Sequence, residues 1–437
     1  MVGNKKDEAA ILKKLGIDAL NSMQEKAYAA ISQNPNTVLL SPTGTGKTLA
    51  FLLPIIAELD HTLKEIQVLI LVPSRELAIQ IEQVTREMGS GFKTNAVYGG
   101  RAGSKDKIEL KEPPVILIGT PGRIADHIRR GSFVTDHIKT LVLDEFDKSL
   151  EVGFAEDMQD IVTKLPSVKK KVLTSATQKV KIPKFVGILD PKHLNFLSKT
   201  SLALEVKVVV SKNENKLDTL VRLLQHTGKG SGIIFCNLKD SIHLVSDYLS
   251  NKGIDHGCFY GGLEQLDRER ALIKFRNGTY RILIATDLAA RGIDVPEMNF
   301  IIHYELPPRP DEFVHRNGRT ARMNAEGTAY VLKWDKEELP PFIKGPEMQL
   351  LKNIVKEKTN NWDTLHISGG RQDKISKGDI AGLFFKQGEL DKTELGVIEL
   401  KQDCAYVSVP RSKSQQLIHQ LNNSRLKKKK VRVSLLR

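Results

Sequence analysis

Cysteine is scarce in this sequence, and the three that occur, Cys236, Cys258 and Cys404, are scattered singly. None belongs to a C-x-x-C pair, and no histidine pattern accompanies them. Disulfide scaffolds need paired thiols, and structural zinc sites need closely spaced ligands. The sequence therefore predicts neither zinc nor a disulfide, and it suits a reducing compartment.

Long apolar runs are also missing. No stretch reaches the roughly 18 apolar residues that indicate a membrane-spanning helix. Residues 1–14 mix Lys5, Lys6, Asp7 and Glu8 with isolated apolar residues, so they lack the apolar core of a secretion signal. We expect a soluble, cytoplasmic monomer with no membrane partner.

Acidic residues are outnumbered by basic ones, 52 against 66, which gives a formal net charge of +14. This balance favours a polyanionic partner over an acidic small molecule, although charge alone is weak evidence. The chain has 437 residues, of which 40% are hydrophobic, and it is too long for one ordinary core. Two or three domains are therefore expected.

A glycine-rich segment, S-P-T-G-T-G-K-T, occupies residues 41–48 between an apolar run and a helix-like apolar stretch. A strand, a loop whose backbone amides cradle phosphates, and a helix are the parts of a phosphate-binding loop. Lys47 supplies positive charge, and the Thr48 hydroxyl can reach Mg²⁺. The predicted loop consists of Ser41, Pro42, Thr43, Gly44, Thr45, Gly46, Lys47 and Thr48.

The run T-L-V-L-D-E-F-D at 140–147 has the composition of a buried parallel strand that ends in acids. Ligands of open parallel sheets bind at the carboxyl ends of the strands, so Asp144 and Glu145 are expected at such an edge. Paired carboxylates at such an edge are expected to act on a metal ion and on an attacked phosphate. The run is therefore the expected partner of the phosphate loop.

Apolar segments alternate with helical patterns through most of the chain, which is typical of doubly wound parallel sheets. Around 198–215 the pattern becomes polar and irregular enough for a linker, and no second phosphate loop follows it. The two halves are therefore not two independent ATPases. The predicted strands lie at 67–72, 94–98, 114–118, 140–143 and 171–174, and at 231–236, 255–259, 281–285, 299–303 and 327–332.

Three predicted strand ends carry residues suited to a nucleic-acid phosphate track. Arg75, Gly100, Thr120 and Arg123 place cations, a hydroxyl and exposed backbone directly after these strands. A helix cap is the alternative for each alone, and the set together favours the track. Just before the phosphate-loop strand, Gln24 offers the donor and acceptor that reading an adenine edge requires, with a solvated helix start as the alternative.

The second half concentrates arginines instead. Residues 315–322 read H-R-N-G-R-T-A-R, and upstream lie A-T-D at 285–287 and R-G-I-D at 291–294. Arginines supplied from a second domain are what a transferring phosphate needs, whereas a solvated helix face is the alternative.

Together these motifs resemble those of DEAD-box RNA helicases over about 15–332. The family's order is kept by Gln24, the phosphate loop in its helicase variant, P-S-R-E-L-A, G-G, T-P-G-R, D-E-F-D, S-A-T, Q-L-D-R, A-T-D-L-A-A-R-G-I-D and H-R-N-G-R-T-A-R. The resemblance implies two RecA-like domains, ATP and Mg²⁺ in the cleft between them, and RNA across both.

The resemblance also implies a role for each matching residue. The catalytic set would be Lys47, Asp144, Glu145, Arg319 and Arg322. Mg²⁺ would be held, largely through water, by Thr48 and Asp144. Beyond the phosphate loop, ATP would contact Gln24, Gly292, Asp294, Arg319 and Arg322. Coupling between domains would use Asp147, Ser175, Thr177 and His315. RNA would contact Arg75, Gly100, Thr120, Arg123, Arg268 and Thr286.

Two positions depart from the family's pattern. Phe146 replaces the alanine of the namesake tetrad, so a bulky ring must find room beneath the site, while the three acids are intact. The aromatic residue that the family places well upstream of the glutamine motif is missing, since 23 residues precede Gln24. We expect this second departure to affect adenine affinity and not hydrolysis.

The tail reads strand, helix, strand, strand, helix, strand at 364–368, 378–385, 396–400, 404–409, 412–422 and 431–435, the ferredoxin-like order of RNA-recognition modules. From His366 it holds 15 Lys and Arg against 7 Asp and Glu, a local charge of +8. The aromatic consensus of the generic stacking module is absent. The segment resembles instead the RNA-binding domain of DbpA-type helicases, which recognises a ribosomal RNA hairpin. A disordered, solvating basic tail is the alternative.

Period-2 alternation assigns faces to two tail strands. The residues predicted to be buried are Ala405, Val407, Val409, Val431, Val433 and Leu435. Tyr406 is expected on the open face and Arg432 outward, beside the lysine run 427–430. The predicted RNA contacts of the tail are Tyr406, Lys427, Lys428 and Arg432, with an ordinary half-exposed edge tyrosine as the alternative for Tyr406.

We therefore predict an α/β chain with RecA-like domains at 1–200 and 201–363 and a small α+β, RRM-like domain at 364–437. The predicted activity is ATP-dependent local unwinding or remodelling of RNA, with large-subunit ribosomal RNA during assembly as the expected substrate. A non-catalytic, ATP-gated RNA clamp is the alternative, and RNA-stimulated phosphate release separates the two. A DNA translocase is a further alternative, which DNA as the stimulant would test.

Overall fold

The computed structural model describes residues 5–42, 44–100, 103–151, 153–177, 181–197, 204–287, 298–320, 327–351 and 361–436. The described residues up to 197 belong to one compact unit, and those from 204 onward belong to a second. Each unit contains a seven-stranded sheet, and the second also contains a small four-stranded sheet. Within these described ranges, every helix is too short or too polar to span a lipid bilayer.

The first unit is built on seven parallel strands: β1 (Asn36–Leu40), β2 (Val68–Leu71), β3 (Thr94–Val97), β4 (Ile116–Gly119), β5 (Thr140–Leu143), β6 (Lys170–Ser175) and β7 (Lys192–Asn195). Their order is β3-β4-β2-β5-β6-β1-β7. The central strands are unbroken apolar runs because apolar cores lie on both faces of the sheet. The edge strand β7 escaped prediction because its K-H-L-N sequence is mostly polar and exposed.

The helices of this unit are α1 (Lys5–Leu15), α2 (Ser22–Gln33), α3 (Lys47–Ala57), α4 (Arg75–Met88), α5 (Gly103–Leu110), α6 (Pro121–Arg129), α7 (Phe146–Glu151) and α8 (Ala155–Thr163). Local capping fixes the start of α2, where the Asn21 side chain accepts a hydrogen bond from the Gln24 amide. Ser74 caps α4 in the same way by accepting from Leu77.

The second unit repeats the architecture with β8 (Leu204–Ser211), β9 (Gly232–Phe235), β10 (Gly257–Phe259), β11 (Ile282–Ala285), β12 (Phe300–His303), β13 (Gly327–Trp334) and β14 (Glu347–Met348). Its helices are α9 (Leu217–His226), α10 (Lys239–Asn251), α11 (Gln265–Arg276) and α12 (Pro310–Asn317). The strand order is β10-β11-β9-β12-β13-β8-β14, and all pairs are parallel.

The linker predicted around 198–215 is wrong for its central part. Strand β8 pairs along its whole length with β13 and also pairs with β14. Its sequence L-E-V-K-V-V-V-S is β-branched, and Val208 and Val209 are buried. The interspersed Glu205 and Lys207 concealed the strand, because charged residues on a solvent-facing side give the same sequence signal as a loop.

The tail folds as β15 (Trp362–Ile367), α13 (Lys377–Lys386), β16 (Ile398–Leu400), β17 (Ala405–Pro410), α14 (Ser414–Leu421) and β20 (Val433–Leu435). Its antiparallel sheet has the order β16-β17-β15-β20, which confirms the predicted ferredoxin-like arrangement. The core lies between the two helices and one face of this sheet. Ala405, Val407 and Val409 belong to it, as predicted, and so do Val431 and Val433.

One position of the tail differs from prediction, and the lysine run, for which no element was predicted, adds a hairpin. Leu435 is 37% exposed, because the alternation breaks at the end of β20 and Leu436 is buried instead. The lysine run is not an extension of the last strand. It forms a separate hairpin, β18 (Arg425–Leu426) with β19 (Lys429–Lys430), whose turn places Lys427 in the left-handed region at φ 53°.

Candidate nucleotide and RNA sites

The carboxyl edge of the first sheet brings the predicted motifs together. Strands β1, β6 and β5 are neighbours, and they end at the phosphate loop, at Ser175 and at Asp144. Strands β2, β4 and β3 occupy the other half of the same edge and end near Arg75, Thr120 and Gly100. The sheet order therefore divides one edge into a nucleotide half and a predicted RNA half.

Backbone carbonyl groups of the phosphate loop accept hydrogen bonds from the lysine of the same loop. Lys47 is the first residue of α3, and its Nζ donates to the carbonyl oxygens of Ser41 at 2.7 Å and Pro42 at 3.0 Å. The Ser41 and Thr45 hydroxyls are 2.8 Å apart. Gly46 adopts φ 84°, which favours glycine, and its absent Cβ leaves room for the Gln24 side chain. The loop is thus shaped around a buried ammonium group and the start of a helix.

Gln24 lies against this loop. Its Oε1 accepts from the Asn21 backbone amide at 2.9 Å, and its Nε2 donates to the Gly46 carbonyl at 3.4 Å. The side chain is buried, so the alternative of a solvated helix-start glutamine is wrong. Asn21 adds a second link by donating to the Thr45 carbonyl at 3.2 Å.

Asp144 and Glu145 stand at the end of β5 in different environments. Burial, with a further contribution from Glu145, raises the pKa of Asp144 to about 6, although Thr174 and Lys47 oppose the shift. The Thr174 hydroxyl donates to the Asp144 carboxylate and accepts from the Glu145 amide. Glu145 has a left-handed backbone at φ 48°, an unfavourable conformation for a non-glycine residue and one that clusters at functional sites.

The remaining residues of the acidic motif connect β5 to the turn after β6. Asp147 is buried, its carboxylate accepts from the Thr177 hydroxyl at 3.0 Å, and burial raises its pKa. Ser175 accepts from the Thr177 amide at 2.9 Å, which holds this turn. Phe146 is 1% exposed and packs in the apolar core of the unit, so the ring does find room beneath the site.

Two arginines of this unit that were predicted to contact RNA each lie against a defined neighbour. The Arg75 guanidinium lies beside Gly99 and Gly100, where a Cβ on Gly100 would come within 2.4 Å of its Nη1. Arg123, in the first turn of α6, donates through Nε and Nη2 to Asp106 at 2.8 and 2.7 Å. The same carboxylate oxygen lies 3.1 Å from Nε2 of buried His127. Asp106 thus orients Arg123 from the neighbouring helix α5.

In the second unit, two predicted RNA residues share one support. The Arg268 guanidinium lies over the Phe259 ring, 4.9 Å from its centroid, and the Thr286 amide donates to the Phe259 carbonyl at 3.3 Å. Both therefore stand at the carboxyl ends of β10 and β11. Arg268 occupies the first turn of α11, and Thr286 follows β11 directly.

The arginine-rich motif at 315–322 contains a buried arginine, Arg316, that forms several hydrogen bonds with other elements. Arg316 donates through two nitrogens to Asp287 at 2.7 and 2.6 Å, and it also donates to Asn237 at 2.6 Å. Its guanidinium stacks 5.2 Å from the Phe235 ring centroid. His315 and Arg319 flank it and are both buried. Thr43, Gly292, Asp294 and Arg322 lie outside the described residues.

The tail departs from prediction at Tyr406. The ring is half-buried and lies 5.6 Å from His366, and burial raises the pKa of its hydroxyl strongly, with Glu269 of α11 among the charges that act on it. The sheet face predicted to be open is therefore partly covered by the RecA-like part of this unit. Lys427, Lys428 and Arg432 are exposed, as the prediction requires.

Several positioning residues were missed by sequence reasoning. Thr174 directly precedes the S-A-T motif, and its hydroxyl before a motif is the only signal that could have indicated it. Asp106, His127 and Asn237 carry no local pattern, because their roles arise from contacts between separate elements. The same holds for Arg276 and Glu399, which are 123 positions apart in the sequence and form an ion pair at 2.7 Å.

A parallel sheet that carries a phosphate loop beside paired acids, followed by a second parallel sheet with an arginine-rich helix, defines a nucleotide-driven nucleic-acid motor. Family models agree: residues 21–185 match "DEAD/DEAH box helicase", 215–324 match "Helicase conserved C-terminal domain", and 364–435 match "DbpA RNA binding domain".

The chain belongs to the DEAD-box family of ATP-dependent RNA helicases and has the DbpA-type domain composition. It is 32% identical to "ATP-dependent RNA helicase DbpA" of Escherichia coli over 98% of this chain and 96% of that protein. It is 30% identical to the protein of the same name in Bacillus subtilis, over 97% and 96% respectively. It is accordingly an RNA-dependent ATPase that binds ATP and RNA.

Solved structures support the same assignment. "S. cerevisiae Dbp5 bound to RNA and ADP BeF3" matches with a TM-score of 0.67 and 29% identity, covering 75% of this chain and 88% of that one. Mss116p bound to single-stranded RNA and AMP-PNP matches with a TM-score of 0.69 and 25% identity, covering 80% and 78%. These matches confirm the predicted tandem RecA-like fold.

Proposed function

We propose that this helicase remodels structured ribosomal RNA during assembly of the large ribosomal subunit, with the tail selecting the RNA and the core separating strands. One observation carries the proposal. The tail is a folded third domain whose residues 364–435 match the DbpA RNA-binding model, and it presents the exposed cations Lys427, Lys428 and Arg432. Basic residues on a folded surface bind RNA phosphates, while the surrounding shape selects a particular RNA.

The nucleotide chemistry rests on the phosphate loop and the acids. Lys47 supplies charge to bound phosphates, and Thr48 with Asp144 would hold Mg²⁺ largely through water. The site suits that ion, because burial raises the pKa of the Asp144 carboxyl and a nearby cation would stabilise its charged form. No group of three or more metal-binding side chains occurs among the described residues. Mg²⁺ needs only one or two carboxylates when phosphates and water complete its shell.

Glu145 is the proposed base that positions or deprotonates the attacking water. Its backbone is left-handed, and its amide donates to the Thr174 hydroxyl at 3.2 Å. Glu145 would therefore act on the attacking water, and Asp144 would hold the metal ion. Arg319 and Arg322 are proposed to stabilise charge on the γ-phosphate.

Coupling and RNA contact are proposed for the residues that follow the other strands. Asp147, Ser175, Thr177 and His315 would transmit the nucleotide state, since the first three form one hydrogen-bonded chain. RNA phosphates would be held by Arg75, Gly100, Thr120, Arg123, Arg268 and Thr286. Closing on ATP and RNA would bend and separate a short duplex, and hydrolysis would release it.

Crosslinking in cells, followed by sequencing of the attached RNA, tests the substrate. We expect reads concentrated in one region of large-subunit ribosomal RNA, and reads spread over many transcripts would contradict the proposal. RNA-stimulated phosphate release tests the alternative of a non-catalytic clamp. Phe146 gives that alternative no structural support, because its ring lies in the core and leaves the acids in place.

A further inference from the structure

The face of the tail sheet opposite its two helices packs against the RecA-like part of the same unit. At its centre, Arg276 at the end of α11 forms a two-point ion pair with Glu399 of β16. Nε lies 2.7 Å from Oε1, and Nη2 lies 2.8 Å from Oε2. Both side chains are largely buried, at 21% and 14% exposed. A bidentate arginine–carboxylate pair fixes orientation as well as distance.

Two hydroxyl contacts extend this surface. Thr364 of β15 and Thr279 have their Oγ1 atoms 2.8 Å apart, and the Ser408 hydroxyl of β17 donates to the Asn277 carbonyl at 2.6 Å. Thr364 is 1% exposed and Ser408 2% exposed. A buried hydroxyl without a hydrogen-bond partner is destabilising, and the docked position gives both of these hydroxyls a partner.

A third contact lies at the rim. Arg411 bridges Asp255, its Nη1 being 3.0 Å from Oδ2, and Asp363 of β15, whose Oδ1 is 3.1 Å from Nε. Arg411 and Asp255 are more exposed than the Arg276 pair, so their ion pair at the rim contributes less to stability. Together the contacts join α11, the turn after it and Asp255 to three of the four tail strands.

Helix α11 also carries a predicted RNA contact at its other end. Arg268 and Arg276 are eight residues apart, which corresponds to about 12 Å along a helix at about 1.5 Å per residue. Arg268 is held over the Phe259 ring, and Arg276 is held by Glu399. One rigid element therefore joins the place where the second RecA-like domain is proposed to touch RNA to the place where the tail is attached.

We propose that Arg276, Glu399, Thr279 and Thr364 are positioning residues that dock the tail on α11 and so set a fixed distance between RNA bound by the tail and RNA held by Arg268. The docking itself rests on the contacts above. The fixed distance between the two RNA sites rests on the proposed function, because it assumes that the tail binds a structured RNA.

The first experiment tests the docking without reference to any particular RNA. In Thr279→Cys/Thr364→Cys the sulfurs would replace oxygens that are 2.8 Å apart, within reach of a disulfide. We expect the oxidised full-length double variant to crosslink in high yield and to keep its RNA-stimulated ATPase and its unwinding of a generic short duplex. The single variants are matched controls that cannot form the bond. Failure to crosslink, or a crosslinked protein that no longer unwinds, would overturn the docking.

The second experiment tests the fixed distance. A large-subunit ribosomal RNA fragment is joined to a short duplex through single-stranded linkers of increasing length. We expect the parent to unwind one linker length best and Glu399→Gln to lose that maximum, while its ATPase on generic RNA is unchanged. The charge-swapped Arg276→Glu/Glu399→Arg should restore the maximum, which a merely misfolded variant would not do.

A flat length profile for the parent would overturn the distance proposal. The crosslink would still stand in that case, so failure of the proposed substrate and failure of the docking remain distinguishable.

Discussion

At the scale of single residues, the site depends on side chains that hold other side chains. Thr174 contacts the Asp144 carboxylate and the Glu145 amide at once. Gln24 closes over Gly46, and Asp106 orients Arg123. The acids themselves are separated by environment, since Asp144 is buried and Glu145 stands on a left-handed backbone. Each group can therefore be changed with a distinct expected result.

We predict that Lys47→Ala impairs nucleotide binding, whereas Glu145→Gln keeps binding and traps ATP. The lysine contributes charge to the bound ground state, while the glutamate acts on water at the reaction step. Fluorescent-nucleotide titration and single-turnover phosphate release measure the two effects separately. Parental turnover by Glu145→Gln would show that this strand end does not carry the base.

His303 should make stability depend on pH. It is fully buried, and burial together with Arg316 lowers its pKa to about 3. The unfolded chain titrates near 6.5 and binds more protons between these values, so stability is complete above about pH 6.5 and falls as the pH falls. From pH 7 to 5 the free energy of unfolding should decrease by about 2 kcal/mol from this group.

Urea titrations of the parent and of His303→Gln at both pH values measure this term. The variant should lose that part of the pH dependence, and changing exposed His419 to Gln should leave it in place. Equal pH dependence in the parent and in His303→Gln would contradict the assignment.

At the scale of elements, the predicted RNA half of the first sheet edge is built by pairs of helices. Asp106 of α5 is fully buried and binds Arg123 and His127 of α6. Removing the charge from a buried ion pair leaves its partner uncompensated and disturbs its geometry. Helices α5 and α6 are therefore linked through Asp106, and together they hold Arg123 in position.

We predict that Asp106→Asn raises the RNA concentration needed for half-maximal ATPase, with little change in nucleotide affinity. Asp126→Asn is the matched control, because Asp126 lies 3.6 Å from the Arg123 guanidinium and is more exposed. An RNA titration of ATPase measures both. Equal shifts in the two variants would assign the effect to surface charge and not to the orientation of Arg123.

The lysine hairpin of the tail separates two kinds of cation. Lys427 pairs with Asp379 and Lys429 with Asp373, both at 2.8 Å, and these lysines lower the pKa of each carboxyl. Lys428 and Lys430 point to solvent. A lysine already neutralised by a carboxylate releases fewer counterions from RNA.

We predict that Lys428→Ala weakens binding of ribosomal RNA more than Lys427→Ala and lowers the slope of log affinity against log salt by about 1. Filter binding at several salt concentrations measures the slope. An unchanged slope in Lys428→Ala would show that the hairpin does not contact phosphate.

At the scale of the whole molecule, the tail is attached to one RecA-like domain and belongs to the second compact unit. Strand β15 begins at Trp362, so a cut upstream of this strand removes the whole tail. We predict that deleting residues from 361 onward leaves a folded ATPase that no longer prefers ribosomal RNA over arbitrary RNA. Competition between the two RNAs in an ATPase assay measures this, and a truncated protein that keeps the full preference would place selection in the core.

The sequence by itself determined the chemistry and the class of fold. Motifs such as 41–48 and 140–147 are contiguous, because one strand and the turn after it carry a whole function, so their composition alone predicted where they lie. Alternation along 404–409 likewise predicted the buried face of β17, since period-2 geometry is local to one strand.

Only the tertiary structure decided which polar residues are partners. Asp106 with Arg123, Thr174 with Asp144, and Arg276 with Glu399 join separate elements, and no local pattern encodes such a contact. Strand β8 and the covered face around Tyr406 escaped prediction for the same reason. A charged or aromatic residue has the same sequence signal whether it faces water or a neighbouring domain, and packing between distant segments decides between the two.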